Sequence, residues 1–251
     1  MKIAKQLIFI LVGTLVLCSC GGGKKFKKNP VDDLIRDMPA NVPFSIVLHD
    51  MEVEGSFFET YFHQYEIIAT DSVVTIGDST ATLPSRKLTG FMEVSEDYLK
   101  MQANNMGMEI ASRDANGNVS KGVNPPGYSN YVGNQRYGRW VNRGGTSFWE
   151  FYGQYAFMSS MFNMMAYPVR RSYYDDWRGN YYGTGRTYYG PNTGGTSYYG
   201  TGSAYTNSTR PNSSWSNNQS RFKRRVQERT SRSGSRYSGS SSRSRGSGFG
   251  K

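Results

Sequence analysis

From Phe44 onward, apolar and polar positions alternate at the two-residue period of strands. The runs FSIVLHDMEVEG, FFETYFHQYEIIAT, VVTI and KLTGFMEVS follow one another, rich in aromatic and β-branched residues. Turn residues at Gly55-Ser56, Asp71-Ser72 and Gly77-Asp78 divide them, which predicts an antiparallel meander. In the second run Phe57, Tyr61, Tyr65 and Ile67 fall on one face and Phe58, Phe62 and Ile68 on the other. Both faces are partly apolar, so this strand is expected to be long and central. Upstream, Asn29 to Asp37 reads as a short helix, with Asn29 as N-cap, Pro30 at N1 and Asp32 and Asp33 at the positive helix end. Pro39 and Pro43 stop it. Downstream, Ser95 caps a predicted helix running to about Met106. Met108 to Ser112 and Val119 to Gly122 then flank Asn116-Gly117, a hairpin signal.

The pattern loosens after Val123. Asn124 to Gly144 is turn-rich and carries Tyr128, Tyr131, Tyr137 and Trp140. It leads into SFWEFYGQYAFMSSMFNMMAYPV, where 19 uncharged residues separate Glu150 from Arg170. Wound as a helix, Phe148, Tyr152, Tyr155, Ser159 and Phe162 make one stripe, with Phe151, Met158, Met161 and Met165 on nearby faces. Such a helix is buried against the domain, in a partner or in lipid. Its polar and tyrosine content argues against a simple membrane span. Past Pro168 aliphatic residues almost vanish, and Tyr181-Tyr182-Gly183, Tyr188-Tyr189-Gly190 and Tyr198-Tyr199-Gly200 form a loose repeat. With little aliphatic material to offset chain entropy, residues 170–251 are expected to be disordered, apart from a short basic helix at Arg221 to Arg229. The fold class is therefore α+β: a small antiparallel sheet with one or two helices, an aromatic and Met-rich helix, and a long disordered C-terminal tail.

Charge sharpens this division. The 251 residues carry a formal net charge of +11, but 29–169 hold 9 Lys/Arg against 16 Asp/Glu, whereas 170–251 hold 15 against 3. A mildly acidic body thus carries a basic tail, the asymmetry of an interaction tail or a self-contact. The start of the chain explains where it acts. Lys2 and Lys5 precede an apolar run from Leu7 to Leu17, the build of an export signal. The following Leu17-Cys18-Ser19-Cys20 resembles the bacterial lipobox, with Ser19 as the small residue before an acylated Cys20. Only two cysteines exist; with Cys18 removed and Cys20 acylated, no disulfide or thiol chemistry is expected. The expected divisions are 1–19 signal peptide, 20–28 lipidated Cys and basic tether (GGGKKFKK), 29–123 α+β domain, 124–169 aromatic segment and 170–251 tail. By analogy with enteric-type sorting, Gly21 directs the protein to the outer membrane, facing the periplasm.

Candidate chemistry is sparse. His49-Asp50 and His63 with Glu66 are the His-containing groups, and no motif joins the two histidines. With a neighbouring cluster at Glu52, Glu54 and Glu59, they define an alternative reading as a ligand-binding or hydrolytic site. Asp114 to Asn118 faintly resembles a calcium loop but lacks its spacing, so a hairpin turn is expected. Met158, Met161, Met164 and Met165 could bind Cu(I) through thioethers, but core packing explains them more simply. No cofactor, metal site or catalytic residue is assigned. Trp140, Trp149, Tyr152 and Tyr155 are candidate binding residues, with Lys223 in the tail unassigned. The Arg/Tyr/Gly tail has the chemistry of an RNA binder, but export removes it from RNA. Anionic polysaccharide or phospholipid is the expected partner, and the Tyr-Gly repeats offer a further route, to self-assembly.

The block GMEIAS (107–112), PPGYSNYVGN (125–134), RYGRW (136–140) and SFWEFYGQYAFMSSMF (147–162), with a tail ending GFGK, resembles a family of uncharacterised bacterial lipoproteins and secreted proteins. The resemblance implies an envelope component working beside an integral membrane protein, with no catalytic residues to carry over. Together these readings describe a non-enzymatic, lipid-anchored envelope scaffold.

Overall fold

A computed structural model describes residues 29–55, 58–76, 79–191 and 196–217, with backbone alone for the strand residues between 72 and 82. The signal peptide, Cys20 and its tether, Ser56 and Phe57, the Gly77-Asp78 turn, and the segment containing Lys223 and Arg221 to Arg229 lie outside these residues.

Helix α1 (Pro30–Asp37) begins as its sequence dictates: the Asn29 side chain accepts from the Val31 N–H at 3.0 Å and Pro30 takes the first position. Strands β1 (Phe44–Glu54), β2 (Thr60–Ile76), β3 (Ser79–Leu88) and β4 (Met92–Val94) follow. Helix α2 (Glu96–Gln102) is capped by Ser95, whose hydroxyl accepts from the Tyr98 N–H. Strands β5 (Glu109–Arg113) and β6 (Val119–Ser120) close the hairpin at Asn116-Gly117. The antiparallel order is β3-β2-β1-β5-β6, with β4 paired to the first residues of β2. β2 is the long interior strand that its two apolar faces predict. Asp71-Ser72 is not a turn. The strand continues through it, and the β2–β3 register shifts between Ala69 and Ser72 instead.

The two faces of the sheet are covered differently. On one, Phe44, Ile46, Leu48, Tyr65 and Ile67 meet Val31 of α1 and Leu99 of α2 in a largely aliphatic core. A bulge between Leu48 and Asp50 re-phases β1, which is why Leu48 and Met51, three apart, both enter that core. On the other face Ile68 and Met108 meet a mass of rings, among them Tyr128, Tyr131, Tyr137, Trp149 and Trp177.

Three sequence expectations fail on this aromatic side. The segment from Ser147 is not one Met-rich helix. β7 (Gly138–Arg143) and β8 (Thr146–Phe151) form a hairpin that pairs Trp140 with Trp149, then a 3-10 turn (Gly153–Tyr155) and the short α3 (Phe157–Met161) follow. Trp149 and Phe151 are buried two apart, so strand periodicity overrides the helical stripe. Among the described residues no helix is long and apolar enough to cross a membrane.

Residues 170–191 and 196–217 are not a disordered tail. They contain α4 (Arg171–Asn180) and α5 (Ala204–Thr209), and bury Trp177, Tyr188, Tyr199, Tyr205 and Trp215. Counting aliphatics misses a core made of rings, each of which hides about 150–250 Å². The Tyr-Tyr-Gly repeats are turns, the first at the surface and the later two packed on this core: Gly183, Gly190 and Gly200 all adopt positive φ, at 74°, 81° and 93°. At Gly200 a Cβ would also come within 2.7 Å of the Asn104 carbonyl oxygen.

Nor does a domain boundary fall at 123/124. Glu109 and Asn124 exchange two backbone hydrogen bonds of 2.9 Å, and the Asn130 amide donates to the Phe44 and Arg113 carbonyls. Trp177 Nε1 donates to Asn124 Oδ1 at 2.9 Å, tying α4 to the same seam.

Candidate functional site

β5 pairs β1 only over Phe44 to Val47, so the rest of that β1 edge is open to other parts of the chain. Residues 104–108 and the strap 201–217 fill it. Thr206 Oγ1 donates to the Met106 carbonyl, and the Met106 N–H to Thr201 Oγ1. The strap starts among the rings, with Tyr205, and ends in the aliphatic core, with Trp215. It therefore passes around the sheet edge from one face to the other.

Asp50 fastens it there. Its carboxylate, 6% exposed, accepts from the Ser213 hydroxyl at 2.6 Å and the Ser214 and Trp215 N–H groups at 2.7 and 3.2 Å, besides the Met51 N–H. This is the work of an N-cap residue supplied from a distant strand, with three donors on Oδ1 and the Ser214 N–H on Oδ2.

Two residue pairs along the β1–β2 register sits Glu66, its side chain 4% exposed. Arg86 Nε contacts Oε1 at 2.6 Å, while Oε2 faces His49 Nδ1 at 3.3 Å and Arg210 Nη2 at 3.4 Å. Burial works against the Glu66 charge, but the His49 contact and the Arg210 and Arg86 guanidiniums outweigh it and hold the carboxyl below the usual carboxylate range. Beside the cluster lies a cleft of about 330 Å³, lined by His49, Gln64, Phe91 and the strap residues from Thr209 to Ser214.

The sequence expectation that grouped His63 with Glu66 is corrected here. Three positions apart on a regular strand, they point to opposite faces, and Glu66 pairs with His49 instead. His63 is fully buried among Tyr65 and Tyr98, its Nδ1 3.1 Å from the Tyr65 hydroxyl; burial drives its pKa down to about 3. It is a neutral core residue. The two histidines do not converge.

The aromatic candidates also separate. Trp149 and Tyr155 are buried core residues at 5% and 4% exposure, Trp140 is half-buried against Trp149 and Tyr174, and Tyr152 alone is exposed. A groove of about 430 Å³ runs past Phe148, Trp149, Met164 and Met165. Of the four methionines, Met158 and Met164 are buried in the ring core, Met161 packs against it, and Met165 is 90% exposed. Asp114 closes the hairpin by accepting from the Asn116 and Asn118 N–H groups, as a turn residue does. Glu52 sits with Glu54 and Asp50, and burial followed by their charges raises its pKa.

No family model, curated protein or solved structure matches this chain.

Sequence reasoning missed three groups. Arg86 and Arg210 complete the Glu66 cluster, and Arg210 stands 144 residues from its partner in a Ser/Thr/Asn-rich stretch with no local signal. Glu109, fully buried, is the third. The Ser129, Ser45 and Ser112 hydroxyls and the Gly127 amide surround its carboxyl without reaching good hydrogen-bond geometry, and burial pushes its pKa up to about 7.

Proposed function

We propose that this chain is a non-enzymatic, lipid-anchored scaffold of the bacterial cell envelope, held against an anionic surface by two basic segments that flank the body in sequence. The observation that carries this reading is the shared core of Val31 and Trp215, near the two ends of the described chain. Upstream of that point lies GGGKKFKK next to Cys20. Downstream, 218–251 holds ten Lys/Arg against Glu228 alone.

One acyl chain gives marginal membrane binding, and a polybasic segment is the usual second signal. Each basic residue near an anionic surface adds about 1 kcal/mol, so the two segments together reinforce attachment to phospholipid or acidic polysaccharide. His49 and His63 lie on opposite faces of the sheet, which counts against a site built on both histidines.

The experiment compares Cys20→Ala protein of full length with the same protein ending at Asn217. The cut belongs there rather than at Val169, because 170–217 carries core residues such as Trp177. In cosedimentation with anionic vesicles at low salt, the shorter form is expected to bind more than about tenfold more weakly. Thermal unfolding is expected to stay unchanged. Equal binding by the two forms would overturn the reading.

A further inference from the structure

We propose that the cleft beside Glu66 binds a small molecule bearing an oxyanion, a sugar acid or a sugar phosphate, through Arg210. What points to an anion is the unspent donor capacity of Arg210. The formal charges balance, with Arg86 and Arg210 beside Glu66 and Asp50, and Asp50, which also lines the cleft, accepts from four neutral donors of the fold. Arg86 holds the short contact at 2.6 Å, whereas Arg210 keeps a long one at 3.4 Å.

Arg210 is the group left over. Its side chain is 7% exposed, its Nη1 donates to the Thr209 hydroxyl, and its Nε has no hydrogen-bond partner among the described residues. A donor taken out of water and left unspent is costly, and a guanidinium edge matches a carboxylate or phosphate with two parallel N–H bonds. Arg210 lines the cleft, so a ligand oxygen there competes with Glu66 for the guanidinium that now holds only the long Nη2 contact. A volume of about 330 Å³ accommodates a single pyranose. At the rim, Phe91 is 39% exposed and offers a ring to the apolar face of a sugar, and the exposed Asn212 amide faces the same opening. The site works whether or not the chain is tethered to a membrane.

The test titrates the folded full-length chain with three probes that share one ring: glucuronate, glucose 6-phosphate and glucose, followed by backbone amide NMR. Saturable shifts at Gln64, Phe91 and Asn212 to Ser214 with either anion, and none with glucose, are expected. A response to glucuronate alone identifies a carboxylate ligand and one to glucose 6-phosphate alone a phosphate; a response to both identifies a general oxyanion site. No saturable shift with either anion at millimolar concentration, or an equal shift with glucose, overturns the proposal. Arg210→Lys, which keeps the charge and loses the fork, is expected to weaken binding about tenfold. Asn212→Asp changes an exposed side chain, leaves the fold intact, and places a like charge at the mouth; it is expected to weaken binding severalfold. An unchanged affinity in the Asn212→Asp chain, checked as folded by circular dichroism, overturns the proposal even if Arg210→Lys fails to fold.

Discussion

The two faces of this sheet solve one problem with different materials. Under α1 and α2 the core is mainly aliphatic, made by regular elements whose side chains arrive at the spacing of strands and helices. On the opposite face the core is mainly Tyr and Trp, delivered by short helices, a hairpin and glycine-bearing turns. Aliphatic packing leaves no polar atom to satisfy. The tyrosines bring hydroxyls inside, and these find partners: Tyr131 donates to the Ile68 carbonyl, Tyr205 to the Phe162 carbonyl, and Tyr128 and Tyr199 meet hydroxyl to hydroxyl at 3.3 Å. Edge-to-face contacts such as Tyr128 on Trp177, with centroids 5.4 Å apart, fix the rings against one another. A face made this way needs no long helix, and it is specified by hydrogen bonds and ring geometry as well as by volume.

The comparison breaks if the aromatic side is only a loose coat. Trp177→Ala therefore gives the most decisive result. Removing this fully buried ring and its bond to Asn124 is expected to cost about 3–5 kcal/mol, as much as Leu48→Ala on the aliphatic side, at about 2–5. Denaturant unfolding measures both, and a loss below 1 kcal/mol or so for Trp177→Ala would reduce 170–217 to an accessory layer.

The next effect separates the faces by pH. Glu109, at the seam with the aromatic segment, has its folded pKa raised from 4.5 to about 7. Its contribution is intact below 4.5 and is lost as pH rises toward 7, where the unfolded chain ionises and the folded one resists; the loss is about 3 kcal/mol. His63, in the aliphatic core, is lowered from 6.5 to about 3 and acts in the opposite sense, its contribution intact above 6.5 and lost as pH falls. Melting curves across this range are expected to lose their alkaline-side decline in Glu109→Gln and part of their acid-side decline in His63→Gln. A Glu109→Gln curve parallel to the parent would show that the carboxyl ionises freely in the fold.

The smallest effect tests the turns. Gly200→Ala puts a side chain at φ 93° and against Asn104, and is expected to cost about 1–2 kcal/mol, read as a lowered melting temperature. No change there would mean that the Tyr-Tyr-Gly turns adapt, and that the aromatic side is less specified than its hydrogen bonds imply.

The same contrast decides what the sequence discloses. Asn29, Ser95 and Asn116-Gly117 act on neighbours a few residues away, and the alternation in β1 and β2 states which side chains share a face, so these elements read directly from the chain. Trp149 and Phe151 sit in a segment apolar in every phase, where helix and strand periods fit equally well, and only pairing with Trp140 selects the strand. Residues 170–217 look too poor in aliphatics to fold because their burial comes from rings spaced between glycines. Of the cluster, His49, Asp50 and Glu66 stand out as titratable groups. The positions of Arg210 and Ser213 depend on the bulge at Leu48/Asp50 and the shortness of β5, which no local pattern announces.

The strap that rounds the β1 edge also sets an order of events in time. Asp50 meets Trp215 across 165 residues, and Trp215 completes a core opened by Val31. Topology of this kind slows folding, because the closing contacts come only after a long stretch of chain has been gathered in. A chain emerging amino end first holds its aliphatic face open until the strap carrying Trp215 has been made. Maturation is thus timed by the arrival of residue 215, and every shorter nascent form exposes that face to chaperones and proteases.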